Sequence, residues 1–459
     1  MASFVFYDLI FLLLFSLFVS AFLYKNRKNL QVENKFILLY RTQMGLDTID
    51  YIGKKHPKLL AFLSDFVIIG GYIMMLTSLF FFLVAVLLTF IAPAMPKIPP
   101  VIPLVPYVDR LLPAGTLPPF YFTYLIIVIA VVAVFHEFSH GIFAKLCNVK
   151  IKSTGFGFIG PLLAAFVEID EKQMAKKPIK SQLAVLAAGS AANLLLWIIF
   201  LGISATFFTA AFVPDGVHFS TYAVGQVNIS EITQINNYDV VRPYTNFYDL
   251  AKDLEELNKS SYDVWVGKTL YHIDSKTFFV QYSSLGASAR DLNLAVLLLD
   301  SPAYKANLSG SIQEIKAEEK VYNNFNNVAE LQAALTQFEP GQKLEIKTTK
   351  GAYNITLSEH PENKSRGFLG IGFNRPSTNL FGKIINFFNY KDSSINYSPK
   401  GGPIQKDMTI FVYHLLYWLT IINFFIMLFN MLPVGIVDGG RFFYLTALAI
   451  TKTEKRAEK

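Results

Sequence analysis

The sequence predicts a polytopic α-helical membrane protein of five to six transmembrane helices with an inserted soluble α+β domain. Apolar residues make up 53% of the 459-residue chain and charged residues 16%, against about 25% charged in soluble proteins. A bilayer core about 30 Å thick needs roughly 20 consecutive apolar residues. Five apolar blocks are long enough, at residues 4–24, 66–92, 120–146, 183–212 and 408–432.

The first block is expected to remain in the protein as a membrane helix. It lacks the basic n-region of a cleavable signal peptide, and Asp8 stands where a positive charge is expected. At the other end, the apolar stretch 442–450 is too short to span alone and predicts either the start of a helix or an interfacial stub. The single cysteine, Cys147, excludes an internal disulfide and any multi-cysteine metal cluster.

Basic residues predict the orientation of the chain in the membrane, because cytoplasmic loops carry an excess of lysine and arginine. They crowd the segments 25–58 and 145–180 and the tail 452–459, and five crossings place all three on one side. We therefore expect a multi-pass protein of the cell membrane whose 213–407 region is extracytoplasmic. The lipid bilayer is the expected contact. A nucleic-acid partner is not expected, since no folded domain shows a basic face.

The polar stretch 213–407 predicts a soluble α+β domain. Residues 344–348 and 353–357 have strand character on either side of a turn, and 328–338 has the apolar spacing of a helix. All six Asn-x-Ser/Thr sequons lie in this stretch, which agrees with an outer location; chance placement in an Asn-rich region is the alternative. The expected domains are 1–65 (first helix and cytoplasmic linker), 66–212 and 408–459 (membrane core), and 213–407.

The strongest chemical signal is the pentapeptide His136-Glu137-Phe138-Ser139-His140. Residues four apart share a helix face, so both imidazoles can reach one metal ion. Glu137 stands where it can take a proton from a water molecule at that metal. The apolar run 124–135 precedes the motif, and ionisable residues in a membrane helix are costly unless they coordinate or pair. A polar cluster solvated at the helix end is the alternative.

A third ligand has to come from another segment, because a catalytic zinc usually keeps three protein ligands and one open position. Asp438 is the candidate, since it is the only acidic residue within 408–453 and follows the last apolar block. The two glycines after it allow the chain to turn sharply. The predicted topology brings Asp438 and the two histidines to a similar depth on the cytoplasmic side. A plain Asp-Gly turn at the interface is the alternative.

Two further asparagines in apolar helices are candidates for substrate contact. Asn193 follows the small residues of 189–192, which let helices approach closely, so its amide could bond a neighbouring helix or an extended substrate. Asn430 allows the same two interpretations and lies near Asp438. The glycine-rich stretch 155–168 is too short to span; it predicts a re-entrant loop or hairpin, with a plain interfacial loop as the alternative.

Four segments carry a resemblance to a known family: HEFSHG at 136–141, AFVEID at 165–170, AAGSAAN at 187–193 and NMLPVGIVDGGR at 430–441. Together and in this order they resemble the site-2 protease family of intramembrane zinc metalloproteases. The segment 40–42 and the proline-rich stretch 93–119 are similar to the archaeal branch of that family.

The resemblance implies a role for each matching residue. As ligands of Zn²⁺ it implies His136, His140 and Asp438, with Glu137 as the general base. As residues that bind substrate it implies Asn193, Gly189 and Asn430. It also implies that the 155–168 hairpin pairs with an extended substrate, and that 213–407 holds a PDZ-like domain, to which 301–310 and 367–371 are similar. The stretch 213–300 is longer than one PDZ module needs.

The activity implied is hydrolysis of peptide bonds in the transmembrane segments of single-pass membrane proteins, as in regulated intramembrane proteolysis. An upstream site-1-type protease would be a partner in such a system. One alternative is a catalytically inactive, metal-binding membrane scaffold whose outer PDZ-like domain binds peptides. Others are a metal transporter, which has no need of Glu137 as a base, and a membrane zincin with a glutamate as third ligand. The sequence leaves the substrate and the oligomeric state open.

Overall fold

The computed structural model describes residues 2–33, 37–91, 105–111, 117–160, 162–285, 291–373 and 394–451. The chain divides into two compact units. The first, here called the membrane unit, holds both ends of the chain and residues 98–210, and the second, the inserted unit, holds residues 211–406.

The α-helices within the described ranges are α1 (Ala2–Lys25), α2 (Leu46–Lys55), α3 (Pro57–Ile91), α4 (Phe122–Leu146), α5 (Glu171–Met174), α6 (Ile179–Ala211), α7 (Phe247–Leu257), α8 (Ser275–Leu285), α9 (Pro302–Lys305), α10 (Val328–Leu335), α11 (Pro403–Asn430) and α12 (Asp438–Thr451). Five of them, α1, α3, α4, α6 and α11, are long and apolar enough to cross a membrane. The predicted fold class, a helical membrane protein with an additional α+β region, is confirmed.

The helix α3 begins well before the apolar block that predicted it. Its first residue is Pro57 rather than a residue near 66, because proline fits the first turn of a helix, where its missing N–H is not needed. Residues 57–65 include charged and polar side chains that a hydropathy criterion passes over.

A buried carboxylate joins α1 to the start of α4. Asp8 is 1% exposed, and its Oδ2 accepts hydrogen bonds from the Tyr107 hydroxyl (2.7 Å) and the Phe122 N–H (2.9 Å). Its Oδ1 accepts from the N–H (2.8 Å) and the hydroxyl (2.6 Å) of Thr123. The first N–H groups of a helix lack partners within the helix and favour negative charge. The Asp8 carboxylate supplies hydrogen-bond acceptors for these N–H groups and a negative charge beside them, which explains an acidic residue in the first apolar block.

The membrane unit also contains a four-stranded antiparallel sheet in the order β1-β2-β3-β4. Its strands are β1 (Leu30–Glu33), β2 (Ile37–Thr42), β3 (Ile151–Ile159) and β4 (Leu162–Ile169). The β3–β4 pair is the predicted hairpin, with Gly160 at a φ of +58° next to its turn. The strands β1 and β2 lie in the segment predicted to be a cytoplasmic linker, and β4 is an edge strand of the described sheet.

The chain is not helical between α11 and α12. The helix α11 ends at Asn430, three residues before Pro433, as expected for a residue that removes an N–H from the helical ladder. The apolar stretch 442–450 belongs to α12, whose Phe442 is fully buried in one hydrophobic cluster with Met74 of α3 and Leu183 of α6. The stretch is therefore helical, as one of the two sequence-based alternatives predicts, and its place relative to the membrane interface stays a prediction.

The glycines after Asp438 lie in the first turn of α12 and make no sharp turn there, so that expectation is corrected. A Cβ on Gly439 would lie 2.3 Å from the Leu432 carbonyl oxygen, and one on Gly440 would lie 2.3 Å from that of Val434. Both distances are far below van der Waals contact. These positions need glycine because the backbone of α12 packs directly on the backbone that precedes it.

Within its described residues, the inserted unit has two hydrophobic cores, each with its own six-stranded sheet. One sheet has the order β7-β12-β11-β10-β8-β9, and the other has β16-β15-β13-β5-β20 with β14 paired to β13. The predicted strands at 344–348 and 353–357 correspond to β15 and β16, and the predicted helix at 328–338 to α10. The strands are β5 (Phe212–Val217), β6 (Thr221–Tyr222), β7 (Val224–Asn228), β8 (Ile232–Ile235), β9 (Tyr238–Asp239), β10 (Ser261–Val266), β11 (Thr269–Asp274), β12 (Leu294–Leu299), β13 (Ile312–Ala317), β14 (Lys320–Asn323), β15 (Lys343–Thr348), β16 (Gly351–Thr356), β17 (Ser358–Glu359), β18 (Gly367–Phe368), β19 (Ile371–Gly372) and β20 (Ile395–Pro399).

Candidate metal centre

Two histidine side chains of α4 point to one place inside the membrane unit. His136 and His140 are each 8% exposed, and their Nε2 atoms are 3.1 Å apart. They lie one turn apart on the same helix face, as the sequence spacing predicts.

Asp438, the first residue of α12, completes a group of three. Its Oδ2 lies 3.4 Å from Nε2 of His136 and 3.3 Å from Nε2 of His140. Ligand atoms at the corners of a tetrahedron with metal–ligand distances of about 2.0–2.1 Å lie about 3.3 Å apart. The three side chains therefore have the composition and the spacing of a metal site, and within the described ranges no other cluster of His, Cys, Asp and Glu side chains has them.

The hydrogen-bond partners of the two Nδ1 atoms indicate whether the Nε2 atoms are available to bind a metal ion. Nδ1 of His140 lies 2.7 Å from the Val185 carbonyl oxygen, which only accepts, so Nδ1 holds a proton and, in the neutral ring that binds a metal, Nε2 keeps a lone pair. Nδ1 of His136 lies 3.0 Å from the amide of the fully buried Asn193. The amide oxygen of Asn193 has no partner among the described residues.

Amide oxygen and nitrogen atoms have the same shape, so the hydrogen-bonding network decides which one faces a neighbour. When Oδ1 of Asn193 faces His136, it accepts the Nδ1 proton and gains the partner it lacks. Both Nε2 lone pairs then face the Asp438 carboxylate with no proton between them. Three acceptors at about 3.3 Å repel one another unless a metal ion or a proton lies between them, and two nitrogen donors with one oxygen suit zinc.

Gly189 lets α6 approach the two imidazoles. A Cβ at this position would lie 2.3 Å from Nε2 of His140 and 2.6 Å from Nε2 of His136. Only glycine leaves room for both rings where α6 passes them, so Gly189 shapes the site by the absence of a side chain.

Comparison with known proteins places this site in a family. The sequence profile of peptidase family M50 matches residues 124–459, a range that contains all three members of the cluster. The chain belongs to peptidase family M50. An uncharacterized protein of Methanocaldococcus jannaschii is 29% identical over 174 residues, a match that covers 37% of this chain and 43% of the relative. The chain thus spans less than half the length of that relative. Members of family M50 are zinc metalloproteases, which agrees with the donor set.

An open cleft leads to the cluster in this M50 chain. It has a volume of about 900 Å³ and is lined by the three candidate ligands, by Glu137 and by the whole of β4 from Leu162 to Ile169. A second cleft of about 640 Å³, lined by Asn430 and the 435–437 segment, shares His136, Glu137 and Asp438 with the first. The candidate ligands His136 and Asp438 therefore line both clefts.

Glu137 lies beside the cluster and is held by β4. Its Oε2 accepts a hydrogen bond from the Val167 N–H at 2.9 Å. The Asn430 side-chain nitrogen, which lines the second cleft, lies 3.4 Å from Nε2 of His136.

The residue after Val167, Glu168, ties the same end of β4 to the neighbouring strands. Glu168 accepts from the Arg41 side chain at 2.8 Å and from the Ser153 hydroxyl at 2.9 Å. The Arg41 contact, together with that hydroxyl, holds the pKa of the Glu168 carboxyl below its usual range. Glu168 is therefore ionised near neutral pH and connects β4 to β2 and β3.

The structure brings together the four residues predicted for chemistry, His136, Glu137, His140 and Asp438. Asn193 and Gly189 contact the imidazoles, and a role for them or for Asn430 in substrate binding stays a prediction. Two backbone groups were not anticipated, the Val185 carbonyl and the Val167 N–H. Every residue has such groups, so no residue-type signal could have revealed them.

Proposed function

We propose that this M50 protein is a zinc metalloendopeptidase of the site-2 protease type, which hydrolyses peptide bonds in transmembrane segments of single-pass membrane proteins. The observation that carries the proposal is the arrangement of three metal-binding atoms 3.1–3.4 Å apart, on apolar helices, with a carboxylate on the next residue. Zinc is the proposed ion, held by His136, His140 and Asp438.

When bound, zinc supplies a Lewis acid that acidifies water and polarises a carbonyl group. Glu137 is proposed as the general base. Its carboxylate accepts a proton from the attacking water and returns it to the leaving amine nitrogen. The contacts of α6, through Asn193 and the Val185 carbonyl, fix the tautomers and the orientation of both imidazoles.

The edge strand β4 is proposed to hold the substrate. A peptide bond inside a helix has its carbonyl bonded and covered, so the substrate has to unwind locally before attack. An extended peptide can add to the free edge of a sheet through its backbone, and β4 lines the cleft along its full length. Asn430 and Asn193 are proposed to contact the bound peptide or its carbonyl oxygen.

The remaining proposals concern the setting of the reaction. We propose the archaeal-type branch of the site-2 protease family, with the metal site toward the cytoplasmic side of the cell membrane and the inserted unit outside. A PDZ-like domain in the inserted unit would act as a size filter or would recognise a new C-terminus left by an upstream site-1-type protease. The positive-inside pattern of the sequence supports the orientation.

The deciding experiment compares wild type with Glu137→Gln in cleavage of a panel of single-pass membrane reporters. We expect cleavage to fall by about 10²- to 10⁴-fold, the usual contribution of a general base, while the zinc content stays near that of wild type. Glu256→Gln on α7, an exposed carboxylate of the inserted unit, is the matched control and should cleave like wild type. Cleavage by Glu137→Gln at the wild-type rate would refute the mechanism. A zinc-loaded wild type that cleaves no reporter would favour the inactive scaffold.

A further inference from the structure

The strand that lines the cleft also holds the proposed base. We propose that the backbone N–H of Val167 is a positioning group for Glu137, so that β4 sets the place of the base as well as that of the peptide. This inference rests on the proposed function. It starts from the hydrogen bond of 2.9 Å between the Val167 N–H and Oε2 of Glu137.

The pairing of β3 with β4 shows which backbone groups face the cleft. Val167 pairs with Thr154, Phe166 with Gly155 and Ala165 with Phe156. Neighbouring pairs in an antiparallel ladder alternate between bonding across the ladder and facing away from it. The Val167 N–H bonds Glu137, so it faces away from β3. The backbone groups of Ala165 and Leu163 therefore face the same free edge.

A glycine of α4, Gly141, allows this helix to approach β4 closely. Gly141 lies four residues after Glu137, on the same face of α4. A Cβ on Gly141 would lie 3.1 Å from a methyl carbon of Ile49 and 3.3 Å from one of Val167. A larger residue would press against Val167 itself, so this glycine lets α4 come close enough for the bond to Glu137.

The arrangement links the peptide to the base through one short strand. An extended peptide that adds to β4 can bond the outward groups of Leu163 and Ala165, whereas the N–H of Val167 is already engaged by Glu137. The last N–H of β4 that is available to the peptide, that of Ala165, is thus two residues before Val167, whose N–H holds Glu137. Ala165 and Val167 are on the same strand, so backbone pairing alone fixes the register of the peptide relative to the Glu137 carboxylate. Recognition of the peptide's side chains is not needed for this.

The test removes one backbone N–H at a time in the full-length protein. Proline is tolerated on edge strands where its position faces away from the ladder, so Val167→Pro and the control Ala165→Pro are matched. Replacement of the same two residues by their α-hydroxy acids, which exchanges the N–H for an ester oxygen, repeats the comparison if proline disturbs folding. We expect the Val167 variants to lose about 10- to 100-fold in kcat with KM and zinc content near wild type. The Ala165 variants should raise KM with little change in kcat.

A second readout does not depend on cleavage. The infrared carboxylate band that Glu137→Gln removes should shift in the Val167 ester variant and stay in place in the Ala165 ester variant. A band that does not move in the Val167 variant, or equal kinetic effects of the two substitutions, would overturn the positioning role. If wild type cleaves no reporter but the band shifts, the proposed function fails and the contact between Val167 and Glu137 stands.

Discussion

The two regions near the ends of α4 both bring ionisable side chains into apolar helix packing, and they satisfy them differently. At the first, Asp8 accepts four hydrogen bonds, from Tyr107, Phe122 and Thr123. At the second, the Nε2 atoms of His136 and His140 and one oxygen of Asp438 converge within 3.4 Å. When both rings are neutral and donate their Nδ1 protons to Asn193 and Val185, each ligand atom that faces the centre is an acceptor.

The difference separates a structural site from a candidate metal site. An ionisable residue within a membrane helix is costly, and function is the usual first hypothesis for it. Asp8 meets that criterion and yet is fully partnered by the start of a helix. What distinguishes the second region is that three ligand atoms from two helices converge at the spacing of a metal site. Counting the partners of a buried group therefore says more than noting its burial.

The largest expected effect comes from removal of one acceptor of the second region. Asp438→Ala should weaken zinc binding by more than the roughly 10- to 100-fold that loss of an outer partner costs, and it should leave the metal-free protein as stable as wild type. Metal analysis with a competing chelator and thermal unfolding in detergent measure both. Asp407→Ala, an exposed carboxylate on α11, is the control. Full zinc affinity in Asp438→Ala would remove the basis of the comparison and would favour a site with another third ligand.

At the first region we expect a loss of stability with no change in zinc affinity. Asp8→Ala leaves backbone N–H groups of α4 without partners, so the free energy of unfolding should fall by about 2–5 kcal/mol, since each buried unpaired donor costs roughly 1–3 kcal/mol. Zinc affinity should not change. Asp8→Asn keeps one acceptor oxygen and should lose less stability. Weaker zinc binding in Asp8→Ala, measured on protein that is still folded, would show that the two regions are coupled.

The smallest expected effect comes from removing a hydrogen-bond partner of an imidazole Nδ1 atom. Asn193→Ala removes the acceptor for the Nδ1 proton of His136, and zinc affinity should fall by about 10- to 100-fold. Asn193→Asp retains an acceptor at the same place and should bind zinc more tightly than Asn193→Ala. Chelator competition measures both constants. Equal affinities for wild type and Asn193→Ala would mean that Asn193 does not orient the ring, and would leave substrate contact as its predicted role.

The membrane helices could be predicted from the sequence because hydropathy alone determines a span. Their ends could not, as the nine-residue difference at the start of α3 shows, since a helix continues into polar residues beyond the apolar block. The histidine pair and Asp438 were predictable because the types of residue that bind metal are few.

Other parts of the site depend on contacts that no local pattern encodes. The strand β2, which also pairs with β1, pairs with β3 across more than a hundred residues, so the sheet that carries β4 could not be deduced from the hairpin segment alone. The contact of Asn193 with His136 depends on how α6 crosses α4. The anchor of Glu137 is a backbone N–H, a group that is the same in every non-proline residue.

The outer contacts of the two imidazoles also restrict how this protein can move. Asn193 and Val185 lie eight residues apart on α6 and hold rings that are four residues apart on α4. A slide or roll of one helix along the other would release both rings at once. We therefore expect α4 and α6 to move together while both contacts are made, so that a substrate of the proposed kind would enter between other helices.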